Sequence, residues 1–232
     1  MTLKKKTING VVWNGIGNVA RQGLSIVTLI VLARFVTPED FGVYAILMIF
    51  VNFMTIFSSM GTSQVVVQLD KPDQRMLSSL FYLNTFMGFA LFTLLFFLAW
   101  PIANFFDNPD LVYLLQIIGF SFIISTLSMV QNALLEKAML FKRLVLIETI
   151  ALTISSIAGM AAAIEGLGVY SFLIMTLSNA SILTIGLWLS SHWRPSWSFS
   201  LDDIKQVWTY SINLTGFSFI NYFARQSDQF LI

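Results

Sequence analysis

The chain has 232 residues, of which 56% are hydrophobic and 11% charged, with a formal net charge of +1. A soluble domain carries about a quarter charged residues, so this composition excludes a soluble enzyme. The near-zero net charge excludes a nucleic-acid binder as a partner class. Mean hydropathy is +0.78, and the apolar runs are continuous and not alternating, which argues for transmembrane helices and against a β-barrel. With no Cys, disulfides and thiolate metal sites are absent, and the lone His192 beside Trp193 and Arg194 reads as an interfacial residue.

Six apolar stretches, near 10–33, 41–66, 78–103, 111–134, 145–164 and 168–190, are long enough to cross about 30 Å of hydrocarbon at about 1.5 Å per residue. A seventh starts near residue 206 and is still apolar at Ile232. The breaks have turn chemistry. Thr37-Pro38-Glu39-Asp40 reads as an N-cap, a proline at the first helical position and two acids at the positive helix end. Asp107-Asn108-Pro109-Asp110 and Glu165-Gly166-Leu167-Gly168 read as tight turns. Lys4, Lys5 and Lys6 precede the first stretch, but Arg21 interrupts it and no convincing cleavage site follows, which disfavours a signal peptide.

Orientation follows from the basic residues. With the N-terminus inside, Lys4, Lys5, Lys6, Lys71, Arg75, Lys137, Lys142, Arg143, Arg194 and Lys205 are inside, ten of the thirteen Lys and Arg. Only Arg34 is outside, while Arg21 and Arg225 fall within spans. This is a positive-inside pattern that also supports the six-span count. The expected organisation is a six-helix lobe over 1–190, an amphipathic cytoplasmic linker over 191–205 and the start of a seventh helix over 206–232.

The first stretch carries a polar stripe. At 100° per residue, Asn14, Asn18, Arg21, Gln22, Ser25 and Thr28 share about a third of the circumference. An Arg within hydrocarbon costs at least about 2.5–3.5 kcal/mol, so Arg21 needs water or a partner. One reading is a hydrophilic lumen in which Arg21 meets an anionic substrate. The others are a packing pair with a carboxylate such as Glu148, or a side chain snorkelling to the interface. Glu148 in turn reads as an interfacial partner of Lys142 and Arg143, or as a lumen carboxylate. The second stretch repeats the pattern more weakly with Asn52, Thr55, Ser59, Thr62 and Ser63, a composition that also suits helix packing. The seventh carries Ser218, Asn221, Arg225, Asp228 and Gln229 on one face; Arg225 is read as a second lumen cation tuned by Asp228, or as a self-neutralised pair. Ala20-Arg21-Gln22 and Ala224-Arg225-Gln226 form a short echo at the start of two helical blocks. No catalytic constellation or metal motif is present, so an enzyme is not expected.

The stretch Leu32-Ala33-Arg34-Phe35-Val36-Thr37-Pro38-Glu39-Asp40-Phe41-Gly42-Val43-Tyr44-Ala45 resembles the first-hairpin signature of Wzx-type lipid-linked oligosaccharide flippases. These belong to the multidrug/oligosaccharidyl-lipid/polysaccharide exporter superfamily. Gly61-Thr62-Ser63-Gln64, Gln131-Asn132-Ala133-Leu134-Leu135-Glu136-Lys137 with Phe141-Lys142-Arg143, and Asn221 to Asp228 are looser likenesses to the same family. The resemblance implies an all-α integral membrane protein of two six-helix lobes around a central cavity, of which this chain holds one lobe and the beginning of the next. It implies transport of undecaprenyl-pyrophosphate-linked oligosaccharide across the bacterial inner membrane by alternating access, coupled to an ion such as H+ or Na+, with no other cofactor. Expected partners are that substrate, membrane lipids and other polysaccharide-assembly proteins. Arg21 and Arg225 are expected to contact the anionic group, with Asn14, Asn18, Gln22 and Asn221 along the route and Asp228 beside Arg225. The alternatives are a drug or cation antiporter of the same fold, which would want lumen carboxylates, and a non-transporting scaffold subunit, which would not need polar stripes.

Overall fold

A computed structural model of the chain describes residues 3–58, 62–68 and 72–200, with the backbone alone for residues 3–12, 62 and 68. Among the described residues there are eight helices and no strand: α1 (Leu3–Phe35), α2 (Pro38–Ser58), α3 (Thr62–Gln68), α4 (Gln74–Phe105), α5 (Asp110–Thr126), α6 (Met129–Lys137), α7 (Phe141–Ile164) and α8 (Tyr170–Ser190). Five stretches, Trp13–Phe35, Pro38–Val67, Gln74–Phe105, Phe141–Ile164 and Tyr170–Ser190, are long and apolar enough to cross a membrane. A sixth is the α5–α6 pair, bent by 42°. The chain is therefore an all-α integral membrane protein, with its spans close to the stretches expected from hydropathy.

Span ends form where capping chemistry stops and restarts the helix. Thr37 Oγ1 accepts from the Asp40 backbone N–H at 3.2 Å and donates to Asp40 Oδ2 at 2.8 Å, a reciprocal cap with Pro38 at the first helical position. Asp73 caps α4 by accepting from Met76 N–H at 2.8 Å. The antiparallel succession puts the α1–α2, α4–α5 and α7–α8 turns at one end. There the Asp40 carboxylate abuts Gly168, and Phe50 meets Phe106 edge-on. At the other end, Lys137 Nζ donates to the Val67 carbonyl and Lys142 lies 5.1 Å over the Trp13 ring.

The expected fourth span is a single helix over 111–134; the structure breaks it after Thr126, and side chains explain why. Thr126 Oγ1 donates to the carbonyls of Phe122 and Ile123, and Ser128 Oγ to that of Ser125, drawing the local backbone away from straight helix. On α8, Thr184 Oγ1 donates to the Ile124 carbonyl at 3.0 Å and Trp188 Nε1 to the Leu127 carbonyl at 2.9 Å. The carbonyls that the break releases thus find donors inside the protein, as hydrocarbon requires.

The core lies between α2, α4, α5 and α8 and includes the fully buried Leu47, Leu95, Leu111, Leu115 and Leu173. Small residues set the closest approaches. A Cβ on Gly88 of α4 would lie 2.2 Å from Thr126 Oγ1 and 3.0 Å from the Phe122 carbonyl, so α4 meets α5 backbone to backbone. Beyond α8, residues 191–200 are not helical. They run along the start of α4, with Gln74 Nε2 donating to the Arg194 carbonyl and Ser196 N–H donating to Ser78 Oγ. Arg194 donates back to the carbonyls of Trp188 and Ser191, capping the end of α8. The rest of the expected linker and the seventh helix lie outside the described residues.

Candidate functional site: a polar cleft among the spans

The site begins where α1 packs against α7. A Cβ at Gly17 would come 2.5 Å from Val145 Cγ1, so glycine admits α7 to direct contact with the α1 backbone. One turn further along each helix stand Arg21 and Glu148. Arg21 lies about 12 Å along the axis from Trp13, where the membrane-length apolar stretch Trp13–Phe35 begins. Its Nη1 donates to Glu148 Oε2 in an ion pair, and its Nη2 donates to Asn18 Oδ1 at 2.5 Å. The partner of Arg21 is thus Glu148 on α7. Glu148 pairs with this Arg and not with Lys142, which sits over Trp13.

The pair is not sealed in a core. The two side chains are 24% and 37% exposed and border a cleft of about 360 Å³ that continues along Ala151, Leu152, Asn179 and Leu183. A guanidinium has five N–H donors, and two are engaged here, so Arg21 retains donors for an additional anionic oxygen. Asn179 and Leu183 also border a second cavity of about 200 Å³, with Thr55, Ser58, Ser121, Ser125 and Thr176 on its wall. The hydroxyls of Thr55, Ser58 and Thr176 donate to carbonyls of their own helices, at 2.7 to 2.9 Å. The oxygens of Thr55 and Ser58 keep acceptor capacity, while that of Thr176 also meets the Tyr44 hydroxyl. Asn179 Nδ2 donates to Ser155 Oγ at 3.3 Å and stands where the two cavities meet. Together they set an Arg–Glu pair and a group of hydroxyl oxygens along two adjoining cavities whose walls are otherwise mostly apolar.

Asn18 joins the site through Arg21, whereas Asn14 and Gln22 do not line the cleft. Both are exposed on α1, as is Ser25, while Thr28 is buried and bonded to the Leu24 carbonyl. An exposed amide-rich face at this depth is poorly suited to lipid and belongs against water or further protein. Asn221, Arg225 and Asp228 lie outside the described residues, as do Ser218, Gln229 and Ser59. The expectations had no place for Asn179, Thr176, Ser121 and Ser125. The available signal was spacing: Thr176 and Asn179 are three apart and Ser121 and Ser125 four apart, each pair on one helix face.

The polysaccharide biosynthesis protein family matches residues 31–232. The chain is 25% identical over 232 residues to the succinoglycan biosynthesis transport protein ExoT of Rhizobium meliloti, covering all of this chain and 47% of that protein. It is 28% identical over 229 residues to the lipopolysaccharide biosynthesis protein WzxC of Escherichia coli, covering 96% of this chain and 46% of the relative. The teichuronic acid biosynthesis protein TuaB of Bacillus subtilis is 25% identical, over all of this chain and 48% of its own length. The chain thus spans about half the length of the curated relatives it matches. No solved structure matches it. A match over most of the chain, on a bundle of membrane-length helices, establishes that the chain belongs to the polysaccharide biosynthesis protein family.

Proposed function

We propose that the chain forms one lobe of a transporter that moves undecaprenyl-pyrophosphate-linked oligosaccharide across the inner membrane by alternating access, for surface polysaccharide synthesis. The observation that carries this reading is the recess at Arg21. A membrane protein of this family has placed a cation and a run of hydrogen-bonding oxygens on the wall of an open cleft within the hydrophobic thickness. A pyrophosphate crossing a low-dielectric region needs a compensating cation, and Arg offers a donor fork matched to phosphate oxygens. Sugar hydroxyls can donate to the Ser and Thr oxygens, and the lipid tail stays among the helices. Glu148 holds the guanidinium in place and lowers the cost of an Arg at that depth when no cargo is present. The protein performs no covalent chemistry in this reading. The N-terminus is cytoplasmic, the exposed face of α1 meets the second lobe or the water between lobes, Arg225 and Asp228 act from the seventh helix, and H+ or Na+ supplies the driving gradient. Other polysaccharide-assembly proteins deliver and receive the cargo.

The test is complementation with the protein that carries this chain, scoring surface polysaccharide at matched membrane abundance. Arg21→Gln is expected to abolish export and Arg21→Lys to restore part of it. Normal export with both substitutions would overturn the reading. One observation favours a second reading, a cation antiporter: the cleft also carries the Glu148 carboxylate. In that case, cation resistance would be lost with Glu148→Gln and spared by Arg21→Gln.

A further inference from the structure

A third pocket, apart from the two adjoining cavities, carries a carboxylate and no cation. It lies at the other end of the bundle from the Arg21 half of α1, between the last turns of α4 and the first turn of α5. Its volume is about 270 Å³, close to the lower end of small-molecule sites at about 300 Å³. Trp100, Asn104, Asp107, Asn108, Pro109 and Tyr113 line it. Trp100 and Tyr113 are 62% and 67% exposed, so two large rings stand open at the rim. Asn108 Oδ1 accepts from the Asp110 N–H at 3.1 Å, which leaves its amide NH2 available. Among the described residues, the Asp107 carboxylate and the Asn104 amide have no hydrogen-bond partner. No Lys, Arg or His lines the pocket.

Trp and Tyr at span ends commonly anchor a protein at the bilayer interface. An anchor alone needs no concave site with a carboxylate on the same wall as the rings. The carboxylate and the missing cations make the pocket repel phosphate-bearing headgroups. What matches is a neutral polyol with an apolar face. A pyranose ring has a C–H face that packs on an aromatic plane and a rim of hydroxyls that donate to a carboxylate and bond to amides. We propose that the Trp100–Asp107–Tyr113 pocket is a saccharide-binding site, taking one uncharged pyranose with its C–H face on an aromatic ring and its hydroxyls on Asp107, Asn104 and Asn108. Its depth, at a span end, is that of a sugar attached just above a lipid. Under the orientation given by the basic residues, this is the outer face. The proposal rests on this pocket's own chemistry and goes beyond the role of Arg21.

The test uses the purified protein that carries this chain, in nanodiscs, with the methyl glycosides of glucose, galactose and N-acetylglucosamine as probes. Saturation-transfer NMR reads binding, and circular dichroism with size exclusion checks folding. At least one glycoside is expected to bind saturably. Trp100→Leu should weaken it by about tenfold, and Trp100→Phe, which keeps a ring, by no more than about threefold. Asp107→Asn retains a side chain that tolerates the positive φ of 50° there and should weaken binding by about three- to tenfold through loss of the charged acceptor. Absence of saturable binding by all three glycosides would overturn the proposal. So would equal binding by folded Trp100→Leu and Asp107→Asn, which would leave an aromatic anchor only, or displacement by inorganic phosphate, which would make it an anion site. Binding is read on purified protein and export in cells, so this proposal and the transport reading can fail separately.

Discussion

Glu148→Gln isolates what the ion pair contributes to folding. The substitution keeps the shape of the side chain and removes its charge, leaving Arg21 with Asn18 as its neutral partner. An Arg placed within a membrane helix costs about 2.5–3.5 kcal/mol on insertion scales, and the pair offsets much of that. Because the pair borders an open cleft and is 24% and 37% exposed, water recovers some of the loss. A destabilisation of about 2 kcal/mol is expected, below the 3–5 kcal/mol of a fully buried pair. For a chain of this size that corresponds to a melting temperature lowered by roughly 4–8 °C. The assay is thermal unfolding in nanodiscs, with the double variant Arg21→Gln, Glu148→Gln alongside. The double variant carries no unpaired charge and should melt above either single variant. Melting of Glu148→Gln at the wild-type temperature, or a double variant below both singles, would refute the ion-pair reasoning.

The other predictions concern packing and capping, all read by the same melting assay. Gly88→Ala drives a Cβ into Thr126 and the Phe122 carbonyl and should destabilise by about 1–3 kcal/mol. Gly23→Ala meets nothing within 4 Å and should be neutral or stabilising by up to about 1 kcal/mol through helix propensity. Thr184→Val and Trp188→Phe each remove the donor to a carbonyl released by the α5–α6 bend and should cost about 1–3 kcal/mol apiece. Thr37→Ala removes the α2 cap at a cost of about 0.5–2 kcal/mol.

The spans were legible because hydropathy over some 20 residues is set by the bilayer, and the α1–α2 turn because Thr37, Pro38 and Asp40 act within one turn of each other. The bend after Thr126 was not, since the carbonyls it releases are satisfied by Thr184 and Trp188, about 60 residues away. Arg21 stood out because a cation is rare in an apolar run. Its partner was one of several options until α7 was seen beside Gly17. Asn179 and Thr176 are two of several polar residues along α8, and what sets them apart is that they face α2 and α5 across a cavity, which a one-dimensional pattern does not encode. The α4–α5 turn was legible as a turn, but the placement of Trp100 and Tyr113 on either side of it depends on the antiparallel packing of α4 and α5.

The most direct measurement asks whether the recess holds water. The chain has no Cys, so single cysteines introduced at Asn18, Thr176 and Asn179 report without background from it, using a membrane-impermeant thiosulfonate on the protein in nanodiscs. Phe97, exposed on the surface of α4, is the lipid-facing control. The account predicts modification at 18, 176 and 179 and none at 97, with Arg21 and Glu148 intact throughout. Inert cysteines at all three positions, in protein that melts normally, would contradict a hydrophilic path at Arg21.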